Sequence, residues 1–187
     1  SSIDHVFRVA NGLIAAGIGK GDRVAVLSRN SLECAEVMTG ILCSGASMVP
    51  VPNTATPEAQ RNMLLDSAVK GLFVSDQYRN AALEHFMDIP SIRADLRFAL
   101  ETACEQFHDH TAWAKTFDAS SPNVHMALDE EYDILYSSGT TGIPKGIIHS
   151  HLARSLLISG TEKMGFEGGV VLTSTPLYSN TTITTWW

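Results

Sequence analysis

The sequence predicts an α/β fold in which helices alternate with a largely parallel sheet. Short apolar runs, Arg23-Val24-Ala25-Val26-Leu27 and residues 46–51 among them, alternate with segments whose apolar residues recur at helical spacing. Helix-capping residues stand where the period changes. Strands that alternate with helices in this way imply crossover connections and hence parallel pairing. At 187 residues the chain is the size of one domain and could bury about 70% of its unfolded surface.

Each element has a local reason. Ile3, Val6, Phe7, Ala10, Leu13 and Ile14 form one face of a first helix, which Gly17 stops. Gly17-Ile18-Gly19-Lys20-Gly21 precedes a strand and so reads as a helix-to-strand turn, not a dinucleotide fingerprint. Residues 23–27 form that strand. Asn30 or Ser31 caps a second helix with Leu32, Ala35, Met38, Ile41 and Leu42 on its apolar face. Cys34 and Cys43 ride on it as small buried hydrophobes. Residues 46–51 are the next strand. Thr56 caps and Pro57 opens a third helix reaching about residue 68. Residues 71–75 form a strand, 80–87 a helix and 96–100 a strand. The signal weakens over residues 101–129. His108-Asp109-His110 reads there as a solvated loop, and Asp129-Glu130-Glu131 as a solvated turn. Ser150 caps a helix through Leu152, Leu156, Ser159 and Met164, and residues 170–174 form a last strand.

One stretch stands apart from these elements. Tyr136-Ser137-Ser138-Gly139-Thr140-Thr141-Gly142-Ile143-Pro144-Lys145-Gly146 holds three glycines, four serine and threonine hydroxyls, a proline and a lysine. Glycines let backbone N–H groups approach an anion closely. The hydroxyls donate further hydrogen bonds, and Lys145 adds a mobile positive charge. Residues 133–136 and 146–149 read as strands on either side, so the loop is a hairpin tip. It is longer and richer in donors than an ordinary hairpin turn. It fits neither the Walker A spacing nor the Gly-x-Gly-x-x-Gly spacing. These features suit a loop that wraps phosphate.

The same residues resemble the signature loop of the AMP-forming adenylate synthetases. That superfamily holds acyl-CoA and aryl-CoA synthetases, peptide-synthetase adenylation domains and firefly-type luciferases. Residues 15–26 resemble its early helix, turn and strand. Gly45-Ala46-Ser47-Met48-Val49-Pro50-Val51-Pro52 resembles its next strand, and Thr175-Pro176-Leu177-Tyr178 the strand end that lines its acyl pocket. The resemblance implies that Thr140, Thr141, Gly142 and Lys145 touch the phosphates of ATP, with Ser137, Ser138 and Gly139 shaping the loop. It places Tyr178, Ser179 and Asn180 at the acyl pocket. Ser179 stands where many acyl-CoA synthetases carry His, and Tyr178 reads equally as a core residue.

The resemblance implies further that residues 1–187 are part of a large N-terminal AMP-binding domain. The later Tyr-Gly-x-Thr-Glu segment, the ribose-binding Asp and the C-terminal catalytic lysine are not in the sequence. An end on Trp186-Trp187 fits a chain cut inside an element. The expected intact activity is that of an acid–thiol ligase using a carboxylic acid, ATP, Mg2+ and coenzyme A, with this piece inactive alone. A peptide-synthetase-type adenylation domain is an alternative, and so is a nucleotide-binding or scaffold protein without chemistry. A hydrolase is disfavoured because no Gly-x-Ser-x-Gly elbow is present.

Composition narrows the partners. A net charge of −7 lacks the basic stripe that nucleic acid requires. No apolar run approaches a membrane span, and the first helix is amphipathic rather than a signal peptide. Three scattered cysteines fit a reduced, cytoplasmic protein. His149 and His151 lack the further ligands of a zinc site, so strand-end packing or hydrogen bonding is their expected role and no metal site is expected.

Overall fold

A computed structural model describes residues 1–137, 144–162 and 172–186. Its core is a seven-stranded sheet. The first helix, α1 (Ser2–Ala15), leads into β1 (Arg23–Leu27), α2 (Leu32–Cys43) and β2 (Ser47–Pro50). Then come α3 (Pro57–Asp66), β3 (Gly71–Val74), α4 (Asp76–His85), β4 (Arg97–Ala99), β5 (His108–Asp109) and α5 (His110–Ala114). The chain continues through β6 (Glu131–Ser137), β7 (Lys145–Ser150), α6 (His151–Glu162) and α7 (Asn180–Trp186). The strand order is β5-β4-β3-β1-β2-β6-β7. All pairings are parallel except β6 with β7, which form an antiparallel hairpin.

The central strands are buried on both faces, as parallel strands must be. Their side chains alternate between two cores. Val24, Val26, Met48, Phe73 and Phe98 meet α1, α2 and α5. Ala25, Leu27, Val49, Leu72, Val74 and Ala99 meet α3 and α4. After β2 the chain reverses its direction of growth, crossing β1 to place β3 on the other side. Ligands of open α/β sheets bind beyond the carboxyl ends of strands at such reversals.

Most predicted boundaries lie within a few residues of the observed ones. Ser31, not Asn30, caps α2, accepting from Cys34 N at 3.1 Å. Thr56 caps α3 through Ala59 N, with Pro57 in the first turn. Gly17 and Gly21 have φ of +78° and +80°, the left-handed backbone that explains a glycine at each end of that turn. Cys34 is buried, and burial pushes its thiol up to about 12.

Four expectations need correction. The fourth helix starts at Asp76, not Asn80, because Glu101 Oε2 accepts from Asp76 N at 2.7 Å. That cap comes from a residue distant in sequence. His108-Asp109-His110 is not a solvated loop. His108 and Asp109 extend the sheet edge, Asp109 caps α5 and His110 is buried with Nδ1 at 3.0 Å from Ala99 O. Glu131 is not a solvated turn residue, since Arg23 grips both its oxygens at 2.7 and 2.8 Å across β2. The bond with Arg23 holds the Glu131 carboxyl below its ordinary value. Finally, residues 172–174 carry no strand, and residues 170 and 171 lie outside those described. Among the described residues no helix is long and apolar enough to cross a membrane.

Candidate functional site

The β6–β7 hairpin presents the donor-rich loop. Its register runs from Asp133 opposite His149 through Tyr136 opposite Gly146 to Ser137 opposite Lys145. Ser137 and Lys145 are exposed and stand at the two ends of the loop. Ser138, Gly139, Thr140, Thr141 and Gly142 lie outside the described residues.

Side-chain chemistry fixes the hairpin on the body of the protein. Tyr136 Oη donates to Asp66 Oδ2 at 2.7 Å and lies 3.0 Å from Met63 O, which ties β6 to α3. Burial and the bond to Asp66 push its phenol well above the ordinary value. Gly146 makes room for that ring. A Cβ there would come 3.2 Å from Tyr136 Cε1 and 2.9 Å from Ile134 Cγ2.

The C-terminal segment reaches the same place from another direction. Asn30, at the end of β1, donates through Nδ2 to Thr175 O at 2.9 Å and accepts at Oδ1 from Leu177 N at 2.9 Å. Leu177 and Ile183 enter the core shared with α1 and α2. Tyr178 is half-buried, with Oη 3.4 Å from Thr54 Oγ1. Ser179 and Asn180 begin the turn into α7, which sequence periodicity did not foresee.

Between these parts lies a cavity of about 600 Å³. Pro52 and Thr54 line it beyond the end of β2, Ala59 and Met63 from α3, and Leu135, Tyr136, Ile147 and His149 from the hairpin. Ser137 and Pro144 bring both described ends of the loop to its rim, and Tyr178, Ser179 and Asn180 form another wall. Of the residues expected at the phosphates, Ser137 thus borders the same space as Tyr178, Ser179 and Asn180, at the carboxyl ends of β2 and β6, and Lys145 is not among its lining residues.

Behind this wall sits a polar cluster that sequence reading missed. Asp133 is fully buried and Arg154 is 3% exposed. Asp133 Oδ2 accepts from Arg154 Nε at 2.8 Å and lies 2.6 Å from Nη2. Asp133 Oδ1 is 2.7 Å from His149 Nδ1. Arg154 Nη1 donates to Asn180 Oδ1 at 2.7 Å. Burial pushes the Asp133 carboxyl up, against the opposing pull of Arg154 and His149. The signal was present in the sequence: Asp133 opens the run Ile134-Leu135-Tyr136, and pairing Ser137 with Lys145 puts it opposite His149. His151 does not join His149. It starts α6 and packs edge-on against Tyr132 at 5.0 Å.

Comparison with known proteins agrees with this architecture. The sequence matches the AMP-binding enzyme family over residues 3–187. It is 32% identical over 145 residues to the fatty acid–[acyl-carrier-protein] ligase ScoC of Streptomyces coeruleorubidus, covering 77% of this chain and 26% of that protein. It is 32% identical over 163 residues to acetyl-coenzyme A synthetase of Pseudoalteromonas translucida, covering 79% and 25%. The chain therefore spans about a quarter of the length of these curated relatives. The N-terminal domain of FACL13 from Mycobacterium tuberculosis, solved with an inhibitor bound, superposes with a TM-score of 0.76 at 26% identity, covering 97% of this chain and 45% of that one. With its mostly parallel sheet, its glycine- and threonine-rich hairpin and a match along nearly its whole length, the chain belongs to the AMP-binding enzyme family.

Proposed function

We propose that this chain is part of the large N-terminal domain of a cytoplasmic, AMP-forming acid–thiol ligase. The carboxylate oxygen of an acid attacks the α-phosphorus of ATP, the bond to the β-phosphate breaks, and pyrophosphate leaves. The thiol of coenzyme A then attacks the acyl carbonyl and AMP leaves. Magnesium enters with the triphosphate, whose oxygens carry it. One observation supports this reading most: Ser137 and Pro144, at the ends of the donor-rich loop, and Tyr178, Ser179 and Asn180 line the same cavity. An acid on one wall and a triphosphate under the loop are then neighbours, and proximity is the larger part of what such a displacement needs.

Within this reading Thr140, Thr141, Gly142 and Lys145 hold the phosphates, with Ser137, Ser138 and Gly139 shaping the loop. Donors and a cation at that point stabilise charge as it develops on departing pyrophosphate. Full-length protein with ATP and a panel of carboxylic acids is expected to release pyrophosphate. Lys145→Ala should slow that release by about 10- to 1000-fold, the range for one lost transition-state contact. An unchanged rate removes Lys145 from the site. The 187-residue chain by itself is expected to show no ATP–pyrophosphate exchange.

The likeness to an acyl-carrier-protein ligase favours a second reading, in which a carrier-protein thiol replaces coenzyme A, as in a peptide-synthetase-type adenylation domain. Supplying each thiol to the preformed acyl-adenylate separates the two.

A further inference from the structure

The polar cluster behind the cavity has a chemistry that adenylation alone does not require. His149 lines the cavity, and its Nδ1 lies 2.7 Å from a carboxylate oxygen of Asp133. A carboxylate accepts, so Nδ1 carries a proton, and a ring with that single proton offers a lone pair at Nε2. Arg154 Nη2 also lies 3.1 Å from Nδ1, but a protonated Nδ1 cannot accept from it. The guanidinium instead satisfies the other carboxylate oxygen and the carbonyl oxygen of the Asn180 side chain. Among the described residues Nε2 has no hydrogen-bond partner, and it is not a sealed atom. The ring is fixed in tautomer and direction by two nearly buried groups behind it, as precise recognition requires.

The rest of the lining is chiefly apolar: Pro52, Ala59, Met63, Leu135 and Ile147. Thr54, Ser137, Tyr178, Ser179 and Asn180 also line the space, but hydroxyls and an amide can turn to donate or accept, whereas an acceptor whose direction is fixed penalises a ligand that covers it without offering a proton.

We infer that His149 is a specificity-determining residue, and that the acid bound here carries a hydrogen-bond donor, a hydroxyl or amino group, placed to meet Nε2. Asp133 and Arg154 are its positioning residues. This inference rests on the ligase reading for the identity of the ligand as an acid.

The test uses full-length protein and matched acids: hexanoic, 6-hydroxyhexanoic and 6-aminohexanoic acid, and benzoic, 4-hydroxybenzoic and 4-aminobenzoic acid. Pyrophosphate release gives kcat/KM and calorimetry gives Kd for each. In at least one series the wild type should favour the donor-bearing member by about tenfold or more, since a site built for a hydroxyl rejects the analogue lacking it. The hydroxyl and amino members tell the two donors apart. His149→Leu should bring that ratio to within about threefold of one. Imidazole 15N spectra of the wild type should show a proton on Nδ1, and an Nε2 resonance that moves only with the donor-bearing acid.

No preference in the wild type overturns the inference whether or not the variant folds, and so does a preference that survives His149→Leu. Protein that releases no pyrophosphate but binds the donor-bearing acid more tightly keeps the inference and loses the ligase reading. Release without preference does the reverse.

Discussion

At the scale of the residue, the Asp133–Arg154 pair dominates. Both side chains are out of water, and each is tolerable only because the other is there. Arg154→Ala leaves a buried carboxylate with one hydrogen bond from His149, and should cost about 3–5 kcal/mol in urea unfolding. Replacing both residues together, Asp133→Leu with Arg154→Met, should cost much less than the sum of the single changes, because two desolvated charges disappear at once. Additive losses would show that the two side chains do not depend on each other. Single-residue chemistry also explains why this cluster escaped sequence reading. Asp133 sits at a position that looks like the solvent end of a strand, and its burial depends on Arg154 and His149 arriving from two other elements.

Elements were the most legible scale. Period-two alternation in β1 places Val24 and Val26 on one face and Ala25 and Leu27 on the other, and capping residues set the starts of α2 and α3. Legibility failed where the cause lay outside the element. Glu101 lengthens α4 from a remote loop, and Asp109 makes a helix out of a stretch whose local signal is polar and mixed. Packing between α1 and α2 gives this scale its prediction. A Cβ at Gly40 would come 2.7 Å from Val9 Cγ1 and 3.1 Å from Val6 O, so the helices approach closely only because position 40 has no side chain. Gly40→Ala gains helix propensity of about 1 kcal/mol yet overpacks that contact, at a cost of about 1–3 kcal/mol. Because one of the contacts is backbone, relief is limited and the net effect should be destabilising. Thermal unfolding of the variant checks the sign.

At the scale of the whole molecule, stability should fall in mild acid. Burial lowers the affinity of His110 for a proton, beyond the opposing effects of the bond to Ala99 O and the charges of Asp109 and Glu33. Its ring also meets His5 edge-on at 5.3 Å. A base whose folded pKa lies below its unfolded 6.5 binds protons preferentially in the unfolded chain. Its contribution is therefore intact above pH 6.5 and lost as pH falls from there toward the folded value. Melting temperatures between pH 7.5 and pH 5 should decline, and His110→Gln should flatten the decline; an equal slope in the variant would assign the acid sensitivity elsewhere.

The bridge from Asn30 to residues 175–177 has a consequence in time. These partners are 145 and 147 positions apart, and ribosomes add about 5–20 residues per second. The Asn30 carboxamide is therefore made roughly seven to thirty seconds before the residues it binds. The wall of the cavity that Tyr178 forms is thus latched to the sheet only after the β6–β7 hairpin has been made, by a contact whose two halves are translated far apart.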